Sequence, residues 1–134
     1  MSVSFPFEVR PSAIFGKVFR PIALVSFWSK ISNNWVEIST IVDTGADYTL
    51  LPRYQLKNPG VDIERDCQTF ETEGIGGSEL VYVLPNQKIW LGGKEFLAPI
   101  GFLDRDNVPP LLGRQALLEN IRLVFDNHKT ILET

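Results

Sequence analysis

The residues best suited to chemistry lie in Asp43-Thr44-Gly45, directly after the β-branched apolar residues Ile41 and Val42. Such an apolar pair predicts a strand that is buried on both faces. An acid at the end of this strand is costly unless its charge is used or satisfied. Thr44 can hydrogen-bond nearby backbone groups, and Gly45 permits a sharp turn and the close approach of another backbone segment. The segment indicates a carboxylate held for catalysis, and the alternative is a strand-ending turn with a solvated acid.

A second segment, Pro-Leu-Leu-Gly-Arg at residues 110–114, has a similar pattern. It is an apolar strand that ends at glycine and is followed by the charged residue Arg114. Arg114 is predicted to pair with Asp47, which follows shortly after Asp43 in the sequence. If that pair is buried, it ties the two segments together, and the loss of one partner costs about 3–5 kcal/mol. The alternative is a plain junction between a strand and the short helix predicted over residues 115–120.

A third segment, Gly-Ile-Gly-Gly at residues 74–77, separates two strand-like runs. Three glycines around one isoleucine predict a hairpin tip that presents backbone N–H groups and a single apolar side chain. Such a tip can act as a lid whose glycines are hinges. The alternative is an ordinary turn.

The rest of the chain consists mainly of short strand-like runs, and a helical turn is predicted only after Pro52 and near residues 115–120. Strand-like pieces also occur around residues 5–7 and 13–15. Many short strands separated by glycine- and proline-containing turns predict an all-β domain that is closed or strongly curved. The predicted hairpin pairs are residues 18–28 with 35–42, 68–73 with 79–84, 88–91 with 95–102, and 121–125 with 129–132.

Length and composition favour one ordinary globular domain, since 134 residues with 44% hydrophobic and 22% charged residues can bury a core. The net charge of −3 and the scattered Lys and Arg residues argue against nucleic-acid binding. The single cysteine, Cys67, excludes an intramolecular disulfide and indicates a small buried hydrophobe or an inert thiol. With no secretory signal and no apolar run long enough to span a bilayer, we expect a cytoplasmic protein without membrane contact.

The order and spacing of these segments resemble the retropepsin family of aspartic proteases over about residues 20–120. The resemblance implies a single-lobe acid-protease β-barrel with one short C-terminal helix, working as a two-fold homodimer. One such domain is predicted over residues 1–134. The matching segments are Asp43-Thr44-Gly45-Ala46-Asp47, the glycine-rich residues 74–77, Leu111-Leu112-Gly113-Arg114, and Phe19-Arg20-Pro21-Ile22.

The ends of the chain depart from the retroviral pattern, because residues 1–19 and 121–134 lie outside the match. In the retroviral enzymes the two termini interleave across the dimer. The extra residues here predict strands or dimer contacts with a different terminal arrangement. The start at Met1 also predicts a stand-alone gene product.

The resemblance implies a role for each matching position. Asp43, Thr44 and Gly45 would be catalytic, with Asp43 as the acid and Thr44 holding its twin in the other subunit. Arg20 would pair across the dimer with Asp47, which would also bind Arg114. Tyr48 stands where the retroviral enzymes can carry another acid. The implied substrate-binding residues are Ala46, Asp47, Tyr48, Leu50, Gly74, Ile75, Gly76, Gly77, Pro109 and Leu111.

Hydrolysis by carboxylates needs a base and an acid at one peptide bond, and this chain supplies a single Asp-Thr-Gly. Two like charges about 3 Å apart cannot both ionise, so two copies of Asp43 would share one proton. A homodimer acting on a peptide or unfolded protein, with no metal or other cofactor, is therefore predicted. The alternative is a peptide-binding or dimerisation module without proteolytic activity.

Two further features have weaker functional interpretations. A serine or cysteine peptidase is disfavoured because the only histidine, His128, lies in a predicted turn and is interpreted as a solvated side chain. The loop Asp104-Arg105-Asp106-Asn107 could steer basic substrates, and the simpler interpretation is an exposed charged loop.

Overall fold

The computed structural model describes residues 1–74 and 77–134, and strands account for most of them, which confirms the predicted all-β class. The strands are β1 (Ser2–Pro6), β2 (Glu8–Ser12), β3 (Gly16–Arg20), β4 (Ile22–Ser29), β5 (Asn34–Val42), β6 (Thr49–Leu51), β7 (Gln68–Gly74), β8 (Gly77–Leu91), β9 (Lys94–Leu103), β10 (Leu111–Leu112), β11 (Arg122–Asp126) and β12 (Lys129–Glu133). The helices are the 3₁₀ helices Arg53–Lys57 and Leu118–Asn120 and the four-residue α1 (Ile63–Asp66).

The largest sheet has seven strands in the order β4-β5-β10-β6-β9-β8-β7. In it, β10 runs parallel to β5, and β6 runs parallel to β9. Strand β8 also pairs with β4, through Ser26 with Trp90 and Phe27 with Ile89, so the sheet curves until distant strands meet. This curvature encloses the core, to which most strands of the sheet contribute.

The β4–β5 hairpin shows how the sequence produces this core. Its alternating pattern places Ala23, Val25 and Phe27 on one face of β4, and all three are fully buried. Thr40 of β5 is also buried, and its hydroxyl donates to the Ala23 carbonyl at 2.9 Å. Because side chains alternate along a strand, this register determines which face of the sheet each residue at the end of β5 occupies.

A separate three-stranded sheet, in the order β1-β12-β11, joins the two ends of the chain. The Met1 ammonium donates to the Thr134 carbonyl and the Thr134 N–H donates to the Met1 carbonyl, both at 2.9 Å. Strands β2 and β3 form their own two-stranded sheet. The predicted strand piece at residues 5–7 thus falls largely in β1, whereas residues 13–15 form the turn of the β2–β3 hairpin.

The predicted helix over residues 115–120 is wrong: only Leu118–Asn120 is helical, as a single 3₁₀ turn. Ala116 has a φ of 59°, a left-handed conformation that an α-helix does not admit. The preceding backbone N–H groups of Arg114 and Gln115 instead donate to the carbonyls of Ala46 and Asp47. None of the described helices is long and apolar enough to cross a bilayer.

Candidate active site

The site is built where two parallel strands end side by side. Leu111 and Leu112 of β10 pair with Ile41 and Val42 of β5, and the Asp43 N–H then donates to the Leu112 carbonyl at 3.0 Å. The start of β4 lies beside the end of β5, since the Val42 N–H donates at 2.9 Å to the carbonyl of Pro21, the residue before β4. The backbone of Asp43 is therefore held by hydrogen bonds between paired strands.

The turn after β5 orients the Asp43 carboxylate. Oδ1 of Asp43 accepts the Gly45 N–H at 2.9 Å, and the Ala46 N–H donates to the Asp43 carbonyl at 3.2 Å. A side chain at position 45 would place its Cβ 3.2 Å from the same Oδ1. Asp43 is half-buried, whereas Thr44 and Gly45 are exposed. The turn thus fixes one carboxylate oxygen and leaves the Thr44 side chain facing solvent.

Arg114 connects the two strand ends as predicted, although the pair is not buried. Its Nη1 donates to the Thr44 carbonyl at 2.5 Å, and its Nη2 donates to Oδ1 of Asp47 at 2.6 Å. In the protomer the Arg114 side chain is 44% exposed and that of Asp47 is 82% exposed. The predicted burial is wrong within one chain, and an exposed pair contributes far less to stability than a buried one.

Gly113 is the point at which the two segments cross. Its N–H donates to Oγ1 of the fully buried Thr49 at 3.1 Å. A Cβ at position 113 would lie 2.3 Å from the backbone carbon and oxygen of Tyr48. Only glycine fits this crossing. Sequence reasoning singled out Gly113 as a strand end but missed Thr49, whose only sequence signal is a polar residue next to two leucines.

An open groove of about 470 Å³ lies beside the Asp47 end of the loop. Its wall is mainly apolar, with Phe70, Val83 and Pro99, each from a different strand. Burial raises the pKa of Tyr48, and the neighbouring Asp47 carboxylate raises it further, so the Tyr48 hydroxyl at the groove stays neutral. The residues that line the groove are Asp47, Tyr48, Phe70, Glu71, Thr72, Val83, Pro99 and Gln115.

Among the implied substrate-binding residues that the structure describes, Asp47 and Tyr48 line this groove. Leu50 pairs with Leu111 between β6 and β10, and both are half-buried, as is Ala46. Pro109 is exposed and borders a smaller cleft of about 140 Å³ that also contains Arg20. The groove residues that the sequence did not reveal are Phe70, Glu71, Thr72, Val83, Pro99 and Gln115.

The predicted lid lies partly outside the described residues, which include neither Ile75 nor Gly76. Gly74 ends β7, Gly77 begins β8, and the two pair in the register of the β7–β8 hairpin. Phe70 on this hairpin is 48% exposed. Its exposure, which the structure shows and the sequence does not, is what marks it as part of the groove wall.

Arg20 forms no ion pair within residues 1–74 and 77–134. It lies in the smaller cleft together with Glu8, Arg10, Ile41 and Pro110. Glu8 is already bound to Arg10 at 2.8 Å. The predicted contact of Arg20 with an acid of a second subunit stays a prediction.

His128 and the charged loop at residues 104–107 both make contacts within the protein. His128 lies exposed in a turn, as predicted, and its ring also stacks on Phe19 with centroids 4.0 Å apart. In the loop after β9, Asp104 binds Arg53, and Oδ1 of Asp106 accepts the Tyr54 N–H at 2.7 Å. These carboxylates hold the loop to the 3₁₀ helix Arg53–Lys57.

Cys67 and the acidic residues give no sign of another reactive centre. Burial raises the pKa of the Cys67 thiol, and Asp66 and Asp62 raise it further, so the unreactive thiol predominates. Across the described parts of the chain, no three His, Cys, Asp or Glu side chains are grouped as metal ligands would be.

Comparison with known proteins supports the resemblance at the level of fold. No protein-family model matches the sequence, and neither does any curated protein. Among solved structures, the crystal structure of a retropepsin-like aspartic protease from Rickettsia conorii matches with a TM-score of 0.64 and 21% identity, covering 98% of each chain. The chain therefore has the fold of the retropepsin-like aspartic proteases, the family that its sequence motifs resemble.

Proposed function

We propose that the chain is one protomer of an aspartic endopeptidase in which Asp43 from each of two subunits activates a water molecule. The observation that carries this proposal is the pair of parallel strand ends. One ends at Asp43, and the other, in register with it, ends at Gly113 and is followed by Arg114. A protomer with one acid at this position needs a second copy to supply both the base and the acid.

In the proposed dimer the two Asp43 side chains share one proton, because two ionised carboxylates at contact distance repel each other strongly. The ionised Asp43 takes a proton from the water as it attacks the peptide carbonyl carbon. The protonated Asp43 donates a hydrogen bond to the carbonyl oxygen, on which negative charge develops. Thr44, which is exposed in the single chain, would bond across the two-fold axis.

The substrate in this proposal is an extended peptide. Strand β7 is the last strand of the seven-stranded sheet, so one of its edges is open to another strand. Its residues Phe70, Glu71 and Thr72 also line the groove beside Asp47. A peptide added along this edge would bond through its main chain and place side chains against the apolar groove wall.

The same proposal includes a single-lobe barrel over residues 1–134 and the two-fold homodimer. The pairing of β8 with β4, which brings distant strands of the large sheet together, supports a closed barrel. The single Asp-Thr-Gly supports the dimer. A peptide-binding module without proteolytic activity is the alternative, because the groove lies within one protomer and needs no second copy to form.

The test compares wild type with Asp43→Asn on an unfolded protein substrate from pH 3 to 7, with and without a statine-type inhibitor. We expect the variant to lose activity roughly a thousandfold or more, since it can neither take nor share the proton. Glu64→Gln, which removes an exposed carboxylate on α1, is the matched control and should keep wild-type activity. Retention of an uncleaved peptide by wild type would instead favour the binding module.

Dilution provides a second test of the dimer. Activity per protomer should fall as the concentration drops below the dissociation constant, and sedimentation should show monomers over the same range. Activity that is independent of concentration in a sedimenting monomer would contradict the shared dyad.

A further inference from the structure

The β2–β3 hairpin ends in two large apolar side chains with no cover in the protomer. Ile14 is 82% exposed and Phe15 is 75% exposed. At the tip, the Ser12 hydroxyl oxygen accepts the Ile14 and Phe15 N–H groups at 3.3 and 3.1 Å. A two-stranded ribbon alone is marginally stable in water, so a shaped ribbon that displays apolar residues is expected to be completed by another surface.

The base of the hairpin is anchored rigidly by aromatic side chains. Phe19 of β3 stacks on His128, and Phe7, just before β2, contacts both His128 and Phe125 with ring centroids 5.8 and 5.4 Å apart. The Phe7 N–H also donates to the His128 carbonyl at 2.8 Å. The hairpin therefore leaves the body of the protein in a fixed direction and extends about 17 Å, the length of a five-residue strand.

This base is next to the strand that carries Asp43. Strand β3 ends at Arg20, and the next residue, Pro21, accepts the Val42 N–H through its carbonyl. The cleft between the hairpin and the body is lined by Arg10, Arg20 and Ile41 among others. If two Asp43 side chains meet on a two-fold axis, the start of the hairpin lies at the edge of the surface that the two copies share.

The terminal strands already form a sheet within the chain, with β1 and β11 at its edges. Strand β12 is paired on one side with β1 and on the other with β11 over five residue pairs each. The two ends of the chain are thereby bonded to each other within the protomer. An exchange of terminal strands between two copies would require these bonds to break, whereas the β2–β3 hairpin needs no rearrangement to contact a partner.

The charge of the hairpin fits a second copy of the same chain. Residues 8–20 contain three cations, Arg10, Lys17 and Arg20, and one acid, Glu8, so this segment carries +2. Since the whole chain carries −3, the remaining residues carry −5. In the groove beside the active-site loop Asp47 is paired with Arg114, and the exposed Glu71 forms no ion pair among the described residues. Opposite charges of this kind favour and orient association.

We propose that the β2–β3 hairpin is a dimerisation arm that docks on a second copy of this chain beside its active-site loop. Ile14 and Phe15 supply the apolar contact, and the basic strands lie against the acidic body of the partner. This inference rests on the proposed function, because the two-fold meeting of Asp43 is what places the hairpin base at the shared surface.

The test is the dimer dissociation constant, measured by sedimentation for wild type and for the double variant Ile14→Ser/Phe15→Ser. We expect the constant to rise at least tenfold, with an unchanged thermal midpoint at concentrations where both proteins are monomeric. Ile31→Ser is the matched control, since Ile31 is 74% exposed in the turn of the β4–β5 hairpin, and it should leave the constant unchanged. Lys17→Glu should also weaken the dimer and reduce its sensitivity to salt.

The dissociation constant and Asp43-dependent hydrolysis together separate a failure of the arm from a failure of the peptidase. An active dimer whose dissociation constant is the same in the double variant would overturn the arm and leave the peptidase intact. A dimer weakened by the double variant but without Asp43-dependent hydrolysis would support the arm and refute the peptidase. Wild-type protein that stays monomeric at all concentrations would also overturn the arm.

Discussion

The parallel strands β5 and β10 have similar apolar sequences, and different residues follow them at their ends. Strand β5 ends in Asp43 with an exposed Thr44-Gly45 turn, whereas β10 ends in the buried Gly113 and the tethering Arg114. Around Gly45 only the Asp43 carboxylate is close, but around Gly113 the backbone of Tyr48 and Thr49 is in contact. The Asp43 end thus presents an exposed turn, and the Gly113 end is packed tightly against the neighbouring backbone. Substitutions at the two ends should therefore separate activity from stability.

Gly113→Ala should have the largest effect on stability. The new Cβ would lie 2.3 Å from backbone atoms of Tyr48, which cannot rotate away as a side chain can. Forced overpacking of this kind costs about 3 kcal/mol. We expect a large loss of unfolding free energy in urea, with activity lost in proportion to folded protein. A Gly113→Ala protein as stable as wild type would show that the backbone crossing has room for a Cβ. The expected difference between the two strand ends would then be lost.

Thr49→Val should have the next largest effect. The substitution keeps the shape of the buried side chain but leaves the Gly113 N–H without its acceptor. A buried donor left unpaired costs about 1–3 kcal/mol. Urea unfolding measures this cost, and Thr40→Val is an informative comparison because it removes a buried hydroxyl that acts as the donor to Ala23. A Thr49→Val protein as stable as wild type would mean that this bond contributes nothing net.

Arg114→Ala should destabilise the protomer only modestly. It removes the bonds to the Thr44 carbonyl and to Asp47, but both side chains of the ion pair are substantially exposed. We expect a loss of about 1 kcal/mol, since exposed pairs contribute little. Arg114→Lys should recover part of it. Sedimentation on the same samples would show whether assembly suffers more than folding. A loss as large as that of Gly113→Ala would contradict the exposed geometry.

Gly45→Ala should have the smallest effect on stability and a clear effect on activity. The added Cβ would sit 3.2 Å from Oδ1 of Asp43 in an exposed turn, so the carboxylate must shift slightly while the fold stays intact. We expect a change in unfolding free energy within about 0.5 kcal/mol. Activity should nonetheless fall about tenfold or more, because a small misplacement of a catalytic group is costly. Unchanged activity would remove the distinction between the two strand ends.

The sequence predicted the local chemistry of these segments better than their surroundings. The Asp-Thr-Gly turn, the strand before Arg114 and the bond between Arg114 and Asp47 follow from residue types alone. Exposure of that ion pair could not be predicted, because it depends on which parts of the protomer cover the loop. The helix expected over residues 115–120 fails for a similar reason, since backbone bonds to residues about seventy positions earlier in the chain fix its first residues.

The groove illustrates the same limit. Phe70, Val83 and Pro99 come from three strands, and none carries a sequence pattern that distinguishes it from other apolar strand residues. Their meeting is a consequence of the sheet order and register, in which β8 lies between β7 and β9. Composition and periodicity therefore indicated the all-β class, whereas the groove wall required the three-dimensional arrangement.

Strand β8 has a mechanical consequence for the groove. Its pairing with β9 is interrupted between Leu84 and Gln87, where Pro85 can donate no hydrogen bond. Beyond this break, Ile89 and Leu91 are fully buried and the Gln87 amide donates to the Trp28 carbonyl at 2.9 Å. The part of the strand before the break is held as well, because Val81 and Leu84 are buried and residues 81–84 pair with β9. The wall of the groove is therefore built on the core on both sides of Pro85, so that a change in its width would have to move buried residues.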